Sequence, residues 1–503
     1  MIPLGPIVWG ACLPHPDPVD PHTMLAGVAK RFAREVPTPD PGLLDEFRVF
    51  VDRKIRKWFT PLSPSVDTSV ETWLNSTSYP QWRRDELLKK WNKIGGEAGI
   101  DELDGKGRRK FYTCKSFMKD ECYSEFKHAR GINSRSDEFK CAVGPIFKLI
   151  EKQVFSRPEF IKKIPIRDRP SYIMEQLQVN GEEYGDSDFT AFEAQFTAPI
   201  MGACEMQLYR YMVSQLPGGL EFQTRVQIAM STLNVCEFKN FTVYLNAVRM
   251  SGEMCTSLGN GFSNMMFLKF MCHKLGSKVK MVVEGDDSAN RILGPVPTEA
   301  DFARLGLIIK IQRHRSISDM SFCGLIFDPE DKINVSDPRE AIASFGWTTN
   351  KYAKASGNKM KALLRCKALS FAHQYPGCPI IKNMAVYGLR MTRSVDVRHI
   401  IKNWQNTWER DQLIEAYECE DLFLGMVSPM NTRLLVERLF GIDIELQLKI
   451  EKSFDSNQTL GPLLDPRVNM IMNQCWRDYW TMYVMSDQGE TPILPVSFVY
   501  ERP

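Results

Sequence analysis

The thirteen cysteines include no CxxC pair, which removes the common dithiol and structural zinc motifs. Cys12 with His15 and His22 is the only grouping that hints at metal ligation, and buried reduced thiols are the expected account of the remainder. No apolar run approaches the ~20 residues of a membrane span, no signal peptide is expected, and no internal repeat or low-complexity stretch is evident. Net charge is also scarce: 64 basic and 61 acidic residues leave +3, so a polyanion has to be met by local patches and not by a whole-molecule field. With 503 residues the chain exceeds the size at which one hydrophobic core stops growing, so several subdomains are expected. What remains is the expectation of an intracellular, soluble globular protein with no membrane segment of its own.

Against that background one stretch stands out, KVKMVVEGDDSANRI from Lys278 to Ile292. Val279, Met281 and Val283 alternate as in a strand, a second strand follows Ser288, and Gly285-Asp286 is the expected tight turn because glycine tolerates positive φ. The hairpin then carries two adjacent carboxylates, Asp286 and Asp287, at its tip. Adjacent like charges are unfavourable unless a cation neutralises them, and hard oxygen ligands favour Mg²⁺ or Mn²⁺. Alone, the tripeptide reads equally as a solvated acidic turn, so its company decides.

Taken in order, residues 1–41 hold nine of the thirty prolines and are expected to form an extended arm outside any core. Helical periodicity begins at Phe47, and a second helix, Gln81 to Ile94, carries Arg83 and Arg84 on a basic face. From Lys106 to Arg135 nine basic residues face three acidic ones, with Phe111, Tyr112, Phe117, Tyr123 and Phe126 interleaved, as suits a chain that packs on a body while presenting cations to phosphate. Lys115, Lys119, Arg130 and Arg135 belong to this stretch. A buried helix is expected over Val143–Phe155, followed by a second basic point at Arg167 and Arg169. Asp188, with Glu193 five residues on, sits where a strand would hand over to a helical run, Ala194 to Leu216, whose Ile200, Cys204, Leu208 and Met212 form a core stripe. Further on, Ser251-Gly252 is a flexible loop feeding a helix that displays Thr256 and Asn260 on one face. Asp301–Lys310 reads as a short helix and strand ending in a lysine, and MSFCGLIFDP as an apolar strand pair. Between Ala341 and Ser370 six basic residues, Lys354, Lys361 and Arg365 among them, meet no acid and form a second positive patch.

The series of a basic loop, an isolated Asp with an acid five later, SGxxxTxxxN, GDD, GLxxK and FCG resembles the RNA-dependent RNA polymerases of positive-strand RNA viruses, nearest the tombusvirus-like group. There RxSGDxNTxxGN precedes GDD; here the stretch is RMSGEMCTSLGN, Arg249 to Asn260. ARGINSRSDEFKCAVGP is similar to the basic fingers motif of that group, and STSYPQWRRDEL resembles a template-guiding motif. The resemblance covers about Lys115 to Asp328. It implies an α+β right-hand fold with an antiparallel palm sheet and helix-rich fingers and thumb: an arm over 1–45, fingers over 46–180, palm over 181–216, a fingers excursion over 217–240, palm over 241–334, and thumb with C-terminal tail over 335–503.

The implied activity is RNA-directed synthesis of RNA from nucleoside triphosphates, with two Mg²⁺ or Mn²⁺ ions held by Asp188, Asp286 and Asp287 and with Lys310 as the acid for departing pyrophosphate. Lys119, Arg130 and Arg135 would receive the triphosphate, and Glu193, Ser251, Thr256 and Asn260 the rest of the nucleotide. Arg83, Arg84, Lys115, Arg249, Gly252, Lys354, Lys361 and Arg365 are the expected RNA contacts, and Phe322–Gly324 the primer-grip strand. The sequence departs from the group's pattern at Glu193, Glu253 and Cys255, where Asp, Asp and Asn are usual. The implied partners are single-stranded template, nascent RNA, and viral or host replication proteins in the host cytoplasm. A reverse transcriptase and a catalytically silent RNA-binding protein of the same fold are the alternatives; groups suited to a 2′-hydroxyl and three intact aspartates speak against them.

Overall fold

The computed structural model describes residues 1–178, 183–404 and 406–484. It is a mixed α+β protein, rich in helix, with one four-stranded sheet that is antiparallel throughout. Two compact units make up the chain: one from Asp17–Lys119 and His128–Lys332, the other from Met1–Pro16, Asp120–Lys127 and the chain from Ile333 on.

In the first unit the proline-rich segment corrects the expectation of a continuous extended arm. Helix α1 (Pro21–Arg31) starts where the Asp20 carboxylate accepts the Thr23 N–H at 2.7 Å, and α2 (Pro41–Trp58) starts on Asp40, which accepts from Gly42 and Leu43. An Asp-Pro pair is a good helix start because the aspartate caps exposed amides and the proline lacks only an N–H that would be unpaired anyway. Helix α3 (Gln81–Lys93) packs beside α4 (Asp137–Val154), which begins six residues before the expected helix because Ser136 caps it. The run expected from Ala194 to Leu216 is broken into a 3-10 turn (Phe192–Gln195), a short helix Ala198–Ala203 and α5 (Glu205–Met212). Pro199 lies at the start of the middle piece, and Cys204, at φ −120° and ψ −96°, separates the last two. The stripe Ile200, Cys204, Leu208 and Met212 is nonetheless fully buried.

Helix α6 (Thr256–Lys274) is apolar on nearly every side and therefore lies inside the unit. Its Phe267 and Phe270 meet Phe47 of α2 at centroid distances of 5.4 and 5.2 Å.

The strands β1 (Cys114–Met118), β2 (Gly131–Arg135), β3 (Tyr184–Phe189), β4 (Leu233–Glu237), β5 (Thr242–Asn246), β6 (Lys278–Glu284), β7 (Asp287–Leu293) and β8 (Ile309–His314) form two four-stranded sheets. The first has the order β2-β1-β4-β5 with one parallel pair, β1 with β4. The second has the order β6-β7-β3-β8. β3 is therefore an inner strand despite its polar sequence. The reason is positional: Phe189 packs on Phe267 of α6 at 6.2 Å, while Asp188, its neighbour, faces the other side and stays exposed. The strand pair expected in MSFCGLIFDP is instead tightly turned at Cys323 and Gly324, both at positive φ, between a bridged Phe322 and Leu325. Phe322–Gly324 is thus a turn and not a strand.

In the second unit residues 1–16 are a core element, contrary to the sequence expectation. Ile2–Pro3 pairs antiparallel with Trp347–Thr348, Val8 bridges Leu463, and Ile7 and Cys12 join Trp347 and Trp480 in a small apolar cluster. Asp120–Lys127 belongs here through His15 on Asp120 at 2.6 Å and the Trp476 indole N–H on the Ser124 carbonyl at 2.8 Å. Prolines remove donors that such a segment would otherwise leave unpaired, so an extended proline-rich strand can be buried at small cost.

Leu4, Ile7, Val8 and Leu13 are all buried, and each such side chain is worth about 1.5–3 kcal/mol. Deleting residues 1–16 is expected to lower the thermal unfolding midpoint of the C-terminal unit by several degrees, read by calorimetry of the full-length and shortened chains; an unchanged midpoint would contradict this packing.

Candidate functional site

The hairpin β6–β7 forms as its sequence suggests. Glu284 faces Asp287 across the ladder, and Gly285-Asp286 are the two turn residues, with Gly285 at φ +62°. A positive φ at the first turn position matches the right-handed twist of the flanking strands. What holds the tip in place is Asn264 of α6, a residue the sequence reading missed. Its side-chain amide nitrogen donates to the backbone carbonyls of Gly285 (3.2 Å), Asp286 (2.9 Å) and Asp287 (3.2 Å). It lies two helical turns beyond Thr256, but spacing alone does not reveal what that face of the helix touches.

Asp188 reaches the same place from the neighbouring strand. In the β3–β7 ladder Ser187 pairs with Ser288, which brings Asp188 level with Asp287 one step further on. In the β3–β8 ladder Asp188 pairs directly with Lys310. Residues opposite one another in antiparallel strands project to the same face, so Asp287, Asp188 and Lys310 form a row across the sheet. Glu193, in the turn after β3, completes the group. That turn is braced by Gln195, also missed by the sequence reading, whose amide clamps the backbone of Thr190 and Ile308.

The electrostatics record the crowding. Burial pushes the Asp286 carboxyl up to about 6, helped by the negative charges of Glu193 and Asp188, while the Arg130 guanidinium works in the opposite direction. Burial and then the charges of Asp286 and Asp188 push Asp287 up to about 7, opposed by a hydrogen bond from the Cys323 thiol. Glu284, the remaining acid of the hairpin, is neutralised by Arg169 at 2.9 Å. Among the described residues no group of three or more His, Cys, Asp or Glu side chains is arranged to hold a metal ion by itself, the Cys12, His15 and His22 grouping included. The donor chemistry still suits Mg²⁺, which binds through one or two carboxylates plus waters and substrate phosphates and seldom in an all-protein cage.

The expected cations divide into two sets. Arg130 is exposed at the end of the β1–β2 connection, its carbonyl accepting the Lys119 N–H at 2.8 Å, and its charge acts on Asp286. Lys115 is exposed on β1, and in the other unit Lys354 and Lys361 are exposed. Arg135, Arg249, Arg83 and Arg365 are structural, which corrects their assignment. Arg135 is 3 % exposed and donates to Glu253 (2.6 Å), Asn234 (2.5 Å) and the carbonyls of Tyr112 and Ala229. Arg249 is fully buried against Glu205, stacks on Phe196 at 3.8 Å and donates to Asn260 at 2.6 Å. Asn260 therefore faces inward and is not available to a ribose. Arg83 is bound to Asp137 (2.5 Å) and Glu86 (2.5 Å), and Arg365 to Glu420 (2.6 Å). Arg84 is half-buried, with its Nε unpartnered.

These buried pairs frame the loop that carries Ser251 and Gly252. The Ser251 carbonyl accepts the Asn133 N–H at 2.6 Å, and Gly252 has φ +108°, where a Cβ would press on the Asn133 carbonyl. Thr256 accepts the Gly252 N–H at 3.2 Å and donates to the Glu253 carbonyl at 3.0 Å, so its hydroxyl ties the loop to α6. The Glu253 carboxylate lies inside, against Arg135, and not at the loop surface. No family model matches the chain, and no curated protein matches it.

A carboxyl whose pKa is raised on folding binds a proton more tightly in the native than in the unfolded state, so stability falls as pH rises from the unfolded value of 3.8 through the folded value. Asp287→Asn is therefore expected to unfold at a higher temperature than the parent at pH 8 in EDTA, with the difference closing below about pH 4. Melting curves across that range check it, and a variant less stable at pH 8 would contradict the crowding.

Proposed function

We propose that this chain is an RNA-directed RNA polymerase of the right-hand type, with the β6-β7-β3-β8 sheet as its palm. The observation that carries the reading is the convergence of Asp188, Glu193, Asp286 and Asp287, from two separate chain segments, on one face beside Arg130 and Lys310. Phosphoryl transfer asks a protein for positioning and charge stabilisation more than for covalent chemistry. The group of acids with a facing lysine and arginine answers both needs.

Asp188 and Asp286, with Asp287 beside them, would hold two divalent ions, Mg²⁺ or Mn²⁺, which supply activation of the primer 3′-hydroxyl and neutralisation of the leaving pyrophosphate. The rest falls to the chain itself. Arg130, with Lys119 next to it, receives the triphosphate beside the acids. Lys310, on the same face as Asp188, is placed to give a proton to the departing pyrophosphate. Glu193 and the Ser251-Gly252-Thr256 loop contact the sugar, and the buried arginines keep that loop in position. Asn264 fixes the direction of the hairpin tip, so the carboxylates do not have to be organised during the reaction. Exposed Lys115, Lys354 and Lys361 attract template and product strands. The remaining parts of the hand are fingers over 46–180 and 217–240 and thumb from 335.

Primer extension by the purified chain on an RNA template, with NTPs or dNTPs and Mg²⁺ or Mn²⁺, tests the reading. NTP incorporation is expected, dNTP incorporation is not. Asp286→Ala should stay folded and bind RNA yet incorporate nothing. Lys310→Ala should lower kcat by ~10²-fold with KM unchanged, as for loss of a general acid; a change confined to KM would remove the lysine from the chemistry.

A further inference from the structure

The unit formed by residues 1–16, 120–127 and the chain from Ile333 contains a cavity of about 780 Å³, which the reading above does not use. That volume lies within the ~300–1,000 Å³ typical of small-ligand sites. One wall is a single stripe of α7 (Gly357–Gln374), running from Lys359 through Lys367 to Gln374. Trp347, Thr349 and Gln412 also line the cavity.

Each of those three side chains holds a buried polar atom with no hydrogen-bond partner: the Trp347 indole Nε1, the Thr349 hydroxyl and the Gln412 carbonyl oxygen. Trp347 is more than nine-tenths buried, at 8 % exposed. Buried polar groups in folded proteins are nearly always satisfied, so an unmet donor, hydroxyl and acceptor around one cavity point to something that enters it. The charge on the walls says what kind of group. Lys351, Lys359 and Lys367 line the space, and the one acid, Glu409, is already occupied by the Trp404 indole N–H (2.7 Å) and the Asn406 amide (2.8 Å). Lys367 donates to the carbonyls of Ser344 (2.5 Å) and Trp347 (3.0 Å), which leaves the third N–H of a buried ammonium without a carboxylate among the described residues. A planar group with both donors and acceptors on its edge would meet the indole and the glutamine, and a phosphate would meet the lysines.

We propose that this cavity binds a nucleoside monophosphate, with its base between Trp347 and Gln412 and its phosphate on Lys351, Lys359 and Lys367, and that it does so without a divalent cation. The proposal does not depend on the polymerase reading, because the carboxylate site is excluded from the test. The full chain is titrated in EDTA with AMP and with GMP, followed by calorimetry and by tryptophan fluorescence, with the free nucleosides and inorganic phosphate as separate titrants. One mononucleotide per chain is expected, bound at least tenfold more tightly than nucleoside or phosphate alone. The pair Lys351→Ala/Lys359→Ala should weaken it at least tenfold, Gln412→Leu should weaken it as well, and Asp286→Asn should leave it unchanged. No saturation in the millimolar range, phosphate binding as tightly as the nucleotide, loss of binding in Asp286→Asn, or binding indifferent to both cavity variants would each overturn the proposal.

Discussion

Mutual repulsion among Asp188, Glu193, Asp286 and Asp287 is the constraint to which the rest of the first unit answers. Burial and then the charges of their acidic neighbours raise the affinity of Asp286 and Asp287 for protons. A bare hairpin tip would relieve the strain by turning its carboxylates into water. Here the backbone of the tip is held by three hydrogen bonds from Asn264, and the turn after β3 is held by Gln195 against the start of β8. The scaffold thus keeps an arrangement that is unfavourable by itself, and such an arrangement is favourable once positive charge arrives.

The arginines show how the surroundings were made stiff enough for this. Arg135 with Glu253 and Arg249 with Glu205 lie within the body, one on each side of the Ser251-Gly252 loop, and both acids are pushed upward by burial and pulled back by their arginine partners. Guanidinium suits that work because its fork of five donors can satisfy a carboxylate and several carbonyls together, as Arg135 does. Gly259 has to lack a side chain, since a Cβ there would meet Glu205 and Arg249. Breaking such a pair by removing one member leaves a buried charge alone, so these positions tolerate change poorly.

The basic stretches of the sequence therefore contain two populations with different tasks. Lys115, Arg130, Lys354 and Lys361 are exposed, whereas Arg83, Arg135, Arg249 and Arg365 hold helices and loops together. Nothing in their local spacing separates them. The partner acids Asp137, Glu253, Glu205 and Glu420 are mostly distant along the chain, and only the packing of the elements shows which arginine meets which acid.

What the sequence by itself determined was local: the GDD hairpin with its glycine turn, a helix after Ser251-Gly252 and a strand ending near Asp188. Each follows from periodicity, turn chemistry or helix capping, which act over a few residues. It could not tell that the Asp-Pro pairs of the arm are helix starts, that residues 1–16 are built into the second unit, or that Asn260 faces inward while Asn264 faces the hairpin. Those outcomes depend on which surfaces meet. The ladder register that sets Asp188 between Asp287 and Lys310 was decided by the tertiary structure, because one residue of slip would have turned every side chain of that strand to the opposite face.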